Sequence, residues 1–358
     1  MTVPLLFQVD IFYGGEMLRN VTRGKYLRYL WIFAACAASI TSIVIVVKIC
    51  LTGTEVNSRL QQKQVAKSLL VAPTNQTVQV STVTSFHGSL IDSFDQLTGV
   101  DDVNSFRCFD AKIANMKFPI CAYEDSKDIW VSKSFTGGGY WEGGFVGRFM
   151  SLLRRYPDVE FVDLGANIGT FALPAAHLTH VVAVEPYSRS MGRLLKSVQL
   201  GGVAKNVSLV FNAISNQRST YTLGFYPTNV GGTYLKIQKT FNTTDCRGGL
   251  CARTILLDDL LPLMGRRRAV MKVDVEGHQP QVFTDSTAVK FFDLIDVPVI
   301  LMEWNLCGQN AVRPEVTDLI RFFTKRQYQV FSASNLRLGT DCSQWSGNVV
   351  FTKQSLVF

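Results

Sequence analysis

The stretch Val162-Asp163-Leu164-Gly165-Ala166-Asn167-Ile168-Gly169-Thr170 decides how this sequence is read. It closes an apolar run of strand length, Val159–Leu164, and leads through two glycines into Ile168–Leu178, which reads as a helix. Glycines at such a turn let the backbone approach a ligand closely, and the first helical amides stay exposed to it. The spacing is Gly-x-x-x-Gly, not the Gly-x-Gly-x-x-Gly that receives a dinucleotide pyrophosphate. Asp163, just before the loop, would repel a diphosphate and suits a cationic or zwitterionic ligand.

Outward from this loop the pattern repeats. Val181–Glu185 is a second strand and is followed by a helix over Arg189–Leu200; Val207–Ile214 is a third strand. After a long excursion, residues 216–269, come a fourth strand, Val270–Val275, and a helix after Pro280. Val297–Glu303 is a fifth strand, Val316–Arg326 a helix, and Gln329–Ser334 and Gly347–Thr352 are closing strands. Upstream, Phe145–Arg155 reads as a helix at the end of an irregular segment that contains Trp130 and Trp141. Strands alternating with helices predict an α/β fold, a Rossmann-like doubly wound and mainly parallel sheet with helices on both faces.

Ligands of such sheets sit at the C-terminal strand ends. Glu185 ends the second strand, about twenty residues after the glycine loop, where a carboxylate accepts hydrogen bonds from ribose hydroxyls. Asn212 lies near the end of the third strand, where an adenine would lie. An acidic loop, a ribose acceptor and this strand order describe a site for S-adenosyl-L-methionine; the alternative is that these are strand-end and capping residues only. The fourth strand runs into Lys272-Val273-Asp274-Val275-Glu276-Gly277-His278. Alternation puts Lys272, Asp274 and Glu276 on one side. Buried without partners they would be very costly, so they either face a cleft or pair with one another. Beside a methyl donor, a carboxylate or His278 could take the proton of an acceptor hydroxyl, and Glu303 at the end of the fifth strand is a further candidate.

These motifs, with Val184-Glu185-Pro186, Asn212-Ala213 and Thr254-Ile255-Leu256-Leu257-Asp258-Asp259, resemble those of the FkbM-type methyltransferases over about residues 125–352. The resemblance implies the class I S-adenosylmethionine-dependent fold with an antiparallel last strand, and O-methylation of hydroxyls on sugars or other natural products. It also implies that Asp163, Gly165, Asn167, Gly169 and Glu185 bind the donor, and that Asp274 and Glu276 face the transfer site. Gln279 and Gln281 stand where the family commonly has acidic residues, and no metal site is assigned.

Tyr29–Val47 carries no charge and would cover about 28 Å as a helix, close to the roughly 30 Å hydrocarbon core. Arg19, Arg23, Lys25 and Arg28 flank it on the N-terminal side and only Lys48 on the near C-terminal side, which leaves the N-terminus cytosolic. The run is too long for a signal-peptide core, so it reads as an uncleaved anchor. The expected organisation is a cytosolic tail over 1–28, a transmembrane signal anchor over 29–48, a luminal stem over 49–105 and a luminal methyltransferase domain over 106–358. This is a single-pass type II protein of the Golgi or ER membrane. Six cysteines lie in the domain beyond residue 105, and proximity suggests Cys108–Cys121, Cys246–Cys251 and Cys307–Cys342, with free buried thiols as the alternative. Beyond the anchor, three sequons begin at Asn75, Asn206 and Asn242.

Of the formal charge of +8, residues 1–51 carry +3, 52–105 carry −2 and 106–358 carry +7. No basic block exceeds Arg266-Arg267-Arg268, so a nucleic-acid partner is not expected. The function expected is O-methyl transfer to a glycan or glycoconjugate. A lipid or small metabolite is the alternative acceptor, and a catalytically inactive binding module the alternative class. The excursion over 216–269, with Tyr221, Tyr226, Asn229, Gly231-Gly232, Tyr234 and Cys246/Cys251, either forms an acceptor wall or packs as an ordinary hairpin. Trp130 and Trp141 either close the donor pocket or serve the core. The oligomeric state is not legible in the sequence.

Overall fold

The computed structural model describes residues 86–353 apart from 157, 237–245, 247, 308–312 and 340, all within the unit Val80–Phe358. The proposed anchor, residues 29–48, and the sequons at Asn75 and Asn242 lie outside the described residues. Among the described residues no helix is long and apolar enough to cross a membrane.

A hairpin, β1 (Arg107–Ile113) and β2 (Met116–Ala122), opens the fold and is followed by α1 (Val131–Thr136) and α2 (Gly143–Arg155). Then come β3 (Glu160–Leu164), α3 (Ala172–Ala176), β4 (Val181–Val184), α4 (Ser188–Leu200) and β5 (Val207–Val210). The excursion supplies β6 (Ala213–Ile214), β7 (Thr220–Tyr226), β8 (Asn229–Leu235) and β9 (Cys251–Ile255). The chain closes with β10 (Arg268–Val273), α5 (Gln279–Val282), α6 (Val289–Leu294), β11 (Asp296–Trp304), α7 (Pro314–Lys325), β12 (Gln329–Ser332) and β13 (Gly347–Thr352).

Seven strands form the main sheet in the order β12-β13-β11-β10-β3-β4-β5. The five from β11 to β5 are parallel, and β13 runs antiparallel to both its neighbours. Every residue of β3 is buried, because both faces are covered. Phe161 packs with Phe149 and Phe171 from α2 and its neighbouring segment on one face, while Val162 and Leu164 join Phe291 and Phe323 in the core on the other. From β3 the chain steps outward through β4 and β5, then returns to add β10 on the opposite side. The crevice at this reversal, outside the ends of β3 and β10, is where such sheets bind ligands.

Four expectations change in detail. The third strand is broken: β5 ends at Val210, and Ala213–Ile214 leaves the main sheet to pair with β9 in a four-stranded sheet, β6-β9-β7-β8. The first helix shrinks to α3, because Gly169 holds a positive φ of 98° and the regular helix begins only beyond it. The helix after Pro280 is split into α5 and α6 by the polar run Thr284-Asp285-Ser286-Thr287, whose hydroxyls bond to one another. The stem boundary at residue 105 also moves toward the N-terminus. Ile91 and Leu97 are buried, the Ile91 N–H donates to the Leu209 carbonyl, and the Phe211 N–H donates to Ser89. Residues 89–91 thereby cover the open edge of β5.

All three suggested disulfides are present. Cys108–Cys121 joins facing residues of the hairpin, and Cys307–Cys342 ties the segment after β11 to the turn before β13. Asn206 is exposed, and its amide donates to the Ala176 carbonyl.

Candidate functional site

The glycine loop, the end of β4 and the end of β10 meet at the crevice. Gly165 has a φ of 81°, and a Cβ there would overlap the carbonyl oxygen of Asp274. Glycine at this position therefore lets the loops after β3 and β10 touch. Gly169 has a different reason: a Cβ would press into Leu173 and Leu194, so it serves helix packing. Asn167, at a φ of 49°, turns its backbone N–H toward Glu185.

Glu185 is 5% exposed, and its two oxygens accept from the N–H groups of Asn167 and Tyr187, each at 2.8 Å. Burial outweighs these two bonds and pushes its pKa up to about 7. A cavity opens beside it, lined by Gly165, Asn167, Glu185, Asn212 and, from the β10 loop, Asp274, Glu276 and His278. Its opposite wall is Gly231, Thr233 and Leu235 of β8, so the hairpin of the excursion lines the cavity. The sequence singles out Gly231 in the excursion but not Thr233 or Leu235, whose neutral side chains carry no motif.

Asn212 lines the cavity, but both ends of its amide are engaged. Oδ1 accepts from the Ser89 N–H at 2.7 Å, and Nδ2 donates to the Arg253 carbonyl at 3.1 Å. It fastens the N-terminal segment and β9 to the cavity rim. Asp163 does not line the cavity. It is 1% exposed, and neither oxygen finds a donor at hydrogen-bonding geometry. Burial lifts its pKa to about 6 even with Lys272 nearby.

The charged run after β10 is split by the structure. The strand ends at Val273, and Lys272 Nζ donates to Asp274 Oδ2 at 3.1 Å. Burial works against the Lys272 ammonium, but Asp274 and Asp163 outweigh it and hold its pKa above the ordinary value. Glu276 lies beyond a turn at a φ of 51°, so simple alternation does not place it. One carboxylate oxygen each of Asp274, Glu276 and Glu303 lies within 4.8 Å of the others. Burial, reinforced by Asp274, pushes Glu276 up to about 7 and raises Glu303 further. A divalent cation could bridge these oxygens, but Lys272 already supplies a positive charge at Asp274.

His278 stands apart from this cluster. Its Nε2 is 2.9 Å from Ser215 Oγ and its ring meets the edge of Tyr221. Burial lowers its pKa to about 4, so it is neutral at pH 7. His180 bonds to Glu160 and Ser208, in a packing role.

A second, open cleft adjoins the first and shares Asn167, Gly231, Asp274 and Glu276 with it. Glu142, Glu303, Asn229, Asn348, Trp130 and Trp141 are among its other lining residues. Neither Glu142 nor Asn348 stands out in the sequence, since the topology alone brings them together; Asn348 Nδ2 donates to Glu142 Oε1 at 2.8 Å.

Residues 163–330 match the family model of the methyltransferase FkbM domain. The match makes this segment similar to a methyltransferase domain, for which the methyl donor is S-adenosyl-L-methionine. No curated protein sequence matches the chain. Among solved structures, a putative O-methyltransferase from Klebsiella pneumoniae is similar at 11% identity and a TM-score of 0.35, over 64% of this chain and 90% of that one. Magnesium protoporphyrin IX methyltransferase from Synechocystis PCC 6803, solved with bound SAM, is 12% identical with a TM-score of 0.34, over 64% and 85%. A precorrin-6y C5,15-methyltransferase from Geobacter metallireducens GS-15 is 15% identical with a TM-score of 0.31, over 59% and 89%. At these values the structures carry no argument about the acceptor or the reaction.

The cavity fits the donor on its own chemistry. Glu185 has lone pairs left for ribose hydroxyls, the walls of Val184, Ile214 and Leu235 are apolar, and desolvated carboxylates lie where a cationic group would enter.

Proposed function

We propose that the chain is an O-methyltransferase that methylates a hydroxyl of a glycan or glycoconjugate. The observation that carries this reading is the junction of the two cavities at Asp274 and Glu276. One cavity suits the donor, and the other leaves room for an acceptor against a carboxylate that titrates near neutrality. When bound, S-adenosylmethionine would supply an electrophilic methyl group to the acceptor oxygen, with the carbon–sulfur electron pair retained by sulfur. Glu185 and Asn167 would hold the ribose end, while the β8 wall keeps bulk water out. The hydroxyl proton passes to the carboxylate of Glu276. Much of the acceleration then comes from alignment of acceptor and donor.

A type II protein of the Golgi or ER membrane, with this domain luminal, is the setting proposed. The charge-free run of Tyr29–Val47 and the three disulfides support it, since such bonds persist in oxidising compartments. Labelled-methyl transfer from S-adenosylmethionine onto panels of glycans, lipids and small hydroxylated metabolites, with mass detection of products, tests the reading. A methylated glycan is the expected product. Product only on lipid or metabolite reassigns the acceptor. No product, together with no calorimetric binding of S-adenosylhomocysteine and no effect of Glu185→Ala on it, leaves a binding module.

A further inference from the structure

The second cleft has features that donor binding does not require. Trp130 is 53% exposed at its rim, in edge contact with Trp141 at a centroid distance of 6.1 Å. An exposed indole on a loose loop would need no explanation, but this one is fastened on both sides. Asp128, fully buried, accepts from the N–H groups of Val131 and Ser132. The Ile129 N–H donates to the Thr228 carbonyl, which pins the same turn to the β7–β8 hairpin. A rigid exposed ring beside a cavity is preorganised to stack on a flat apolar face.

The backbone around the cleft is also unusual. Seven non-glycine residues among those described hold positive φ, and three of them, Glu142, Asn167 and Glu276, line this cleft. Strain of this kind collects where a side chain must be aimed.

The charge is lopsided. Glu142, Asp274, Glu276 and Glu303 face the cleft, and one ammonium, Lys272, lies buried beneath Asp274. Even with Glu303 and part of Glu276 protonated at neutral pH, Glu142 and Asp274 leave the cleft acidic within a chain of net charge +8. An anionic acceptor would meet repulsion across a partly desolvated space. A cationic amine would be held protonated by the same carboxylates and would keep no lone pair for methyl transfer. An uncharged polyol suits the site: its hydroxyls donate to the carboxylates and to the amide oxygens of Asn229 and Asn348.

We propose that this cleft is the acceptor subsite, that Trp130 is its stacking platform, and that it takes an uncharged sugar ring and rejects acidic sugars. The inference rests on the methyltransferase reading above and narrows its substrate class. It excludes the attraction of acidic glycans that the basic luminal region would suggest.

Saturation-transfer NMR on the full-length chain tests it, with the methyl glycosides of glucose, galactose and mannose as probes beside the matching hexuronic acids and hexosamines. The expected result is binding of at least one neutral glycoside through C–H groups of one ring face, and none of the matching uronic acid at neutral pH. Trp130→Ala should weaken that binding by roughly tenfold, and Trp130→Tyr should restore most of it. Uronic acid or hexosamine binding as tight as that of the neutral sugar, no glycoside binding, or no effect of Trp130→Ala overturns the proposal. The methyltransferase reading fails separately. Sugar binding that needs Trp130, without methyl transfer to any acceptor, keeps the subsite and removes that reading. Transfer to a lipid or small metabolite at an unchanged rate in Trp130→Ala keeps the enzyme and removes the subsite.

Discussion

The ammonium of Lys272 lies 3.1 Å from Oδ2 of Asp274, two residues further along the chain, with Lys272 only 7% exposed. Asp163 sits directly across on β3, in register with Lys272. One buried cation therefore balances a strand-end carboxylate on each of two neighbouring strands. Of the two readings of the Lys272–Glu276 run, pairing and facing a cleft, both hold: Lys272 and Asp274 pair, while Asp274 and Glu276 line the cleft. Replacement of the ammonium by an apolar chain of similar length leaves the buried carboxylate of Asp163 and the partly exposed one of Asp274 without their cation. Lys272→Met should cost roughly 3 kcal/mol of folding stability, read as a lowered urea midpoint with an unchanged slope. An unchanged midpoint would show that solvent, not Lys272, screens Asp163 and Asp274.

The proton acceptor should be visible in the pH profile. Glu276 is raised to about 7, so it is protonated and idle below that pH and available above it. Transfer at saturating donor should rise with pH through about 7 and then level off. Glu276→Gln should remove this limb and lower kcat/KM by about 10²–10⁴-fold. His278, lowered to about 4, stays neutral across this range, so His278→Ala should leave the limb in place. An inflection that disappears with His278 instead would transfer the role to the imidazole.

Much of the proposed donor side is legible in the sequence because it is local. Gly165, Asn167 and Glu185 stand at strand ends, and a strand end has a fixed place in a doubly wound sheet. Gly169 is also conspicuous, yet its reason is a close approach to Leu173 and Leu194 that no spacing rule reveals. The acceptor side is different. Glu142 and Asn348 bond to each other across 206 positions of sequence, and only the return of β13 beside β11 joins them. Alternation also fails at Glu276, since β10 ends at Val273 and a turn with positive φ intervenes. Residues 86–105 look like stem because they are polar on average; two buried side chains, Ile91 and Leu97, suffice to fix them to the fold.

Asp163 should trade stability for function. Its folded pKa, about 6, lies above the ordinary 3.8, so the folded state binds the proton more tightly than the unfolded chain does. The stability from this group is fully present below pH 3.8 and is lost as pH rises through about 6. Asp163→Asn keeps the shape and removes the charge. It should raise stability by about 1–3 kcal/mol at pH 8 and by nothing measurable at pH 3.5, read from thermal melts at both values. Because Asp163 lies behind the cavity wall, affinity for S-adenosylhomocysteine should fall less than with Glu185→Ala, which removes a lining carboxylate. A stabilisation equal at both pH values would mean that the carboxylate is not desolvated.

Asn212 should act through the segment it fastens. Its Oδ1 takes the Ser89 N–H and its Nδ2 reaches the Arg253 carbonyl, so the amide bridges residues 86–97 and β9. Asn212→Asp keeps the acceptor for Ser89 but places an anion against the Arg253 carbonyl, whereas Asn212→Ala removes both bonds. Each lost neutral hydrogen bond in a buried setting is worth about 1 kcal/mol. Hydrogen exchange should therefore show faster exchange at Ser89, Ile91 and Phe211 in Asn212→Ala, because the backbone bonds that tie this segment to β5 open together. The same variant should weaken S-adenosylhomocysteine binding, since the loosened segment borders the cavity rim at Asn212. Faster exchange with unchanged affinity would separate the edge cover from the donor site, and unchanged exchange would show that Ile91 and Leu97 hold the segment by burial alone.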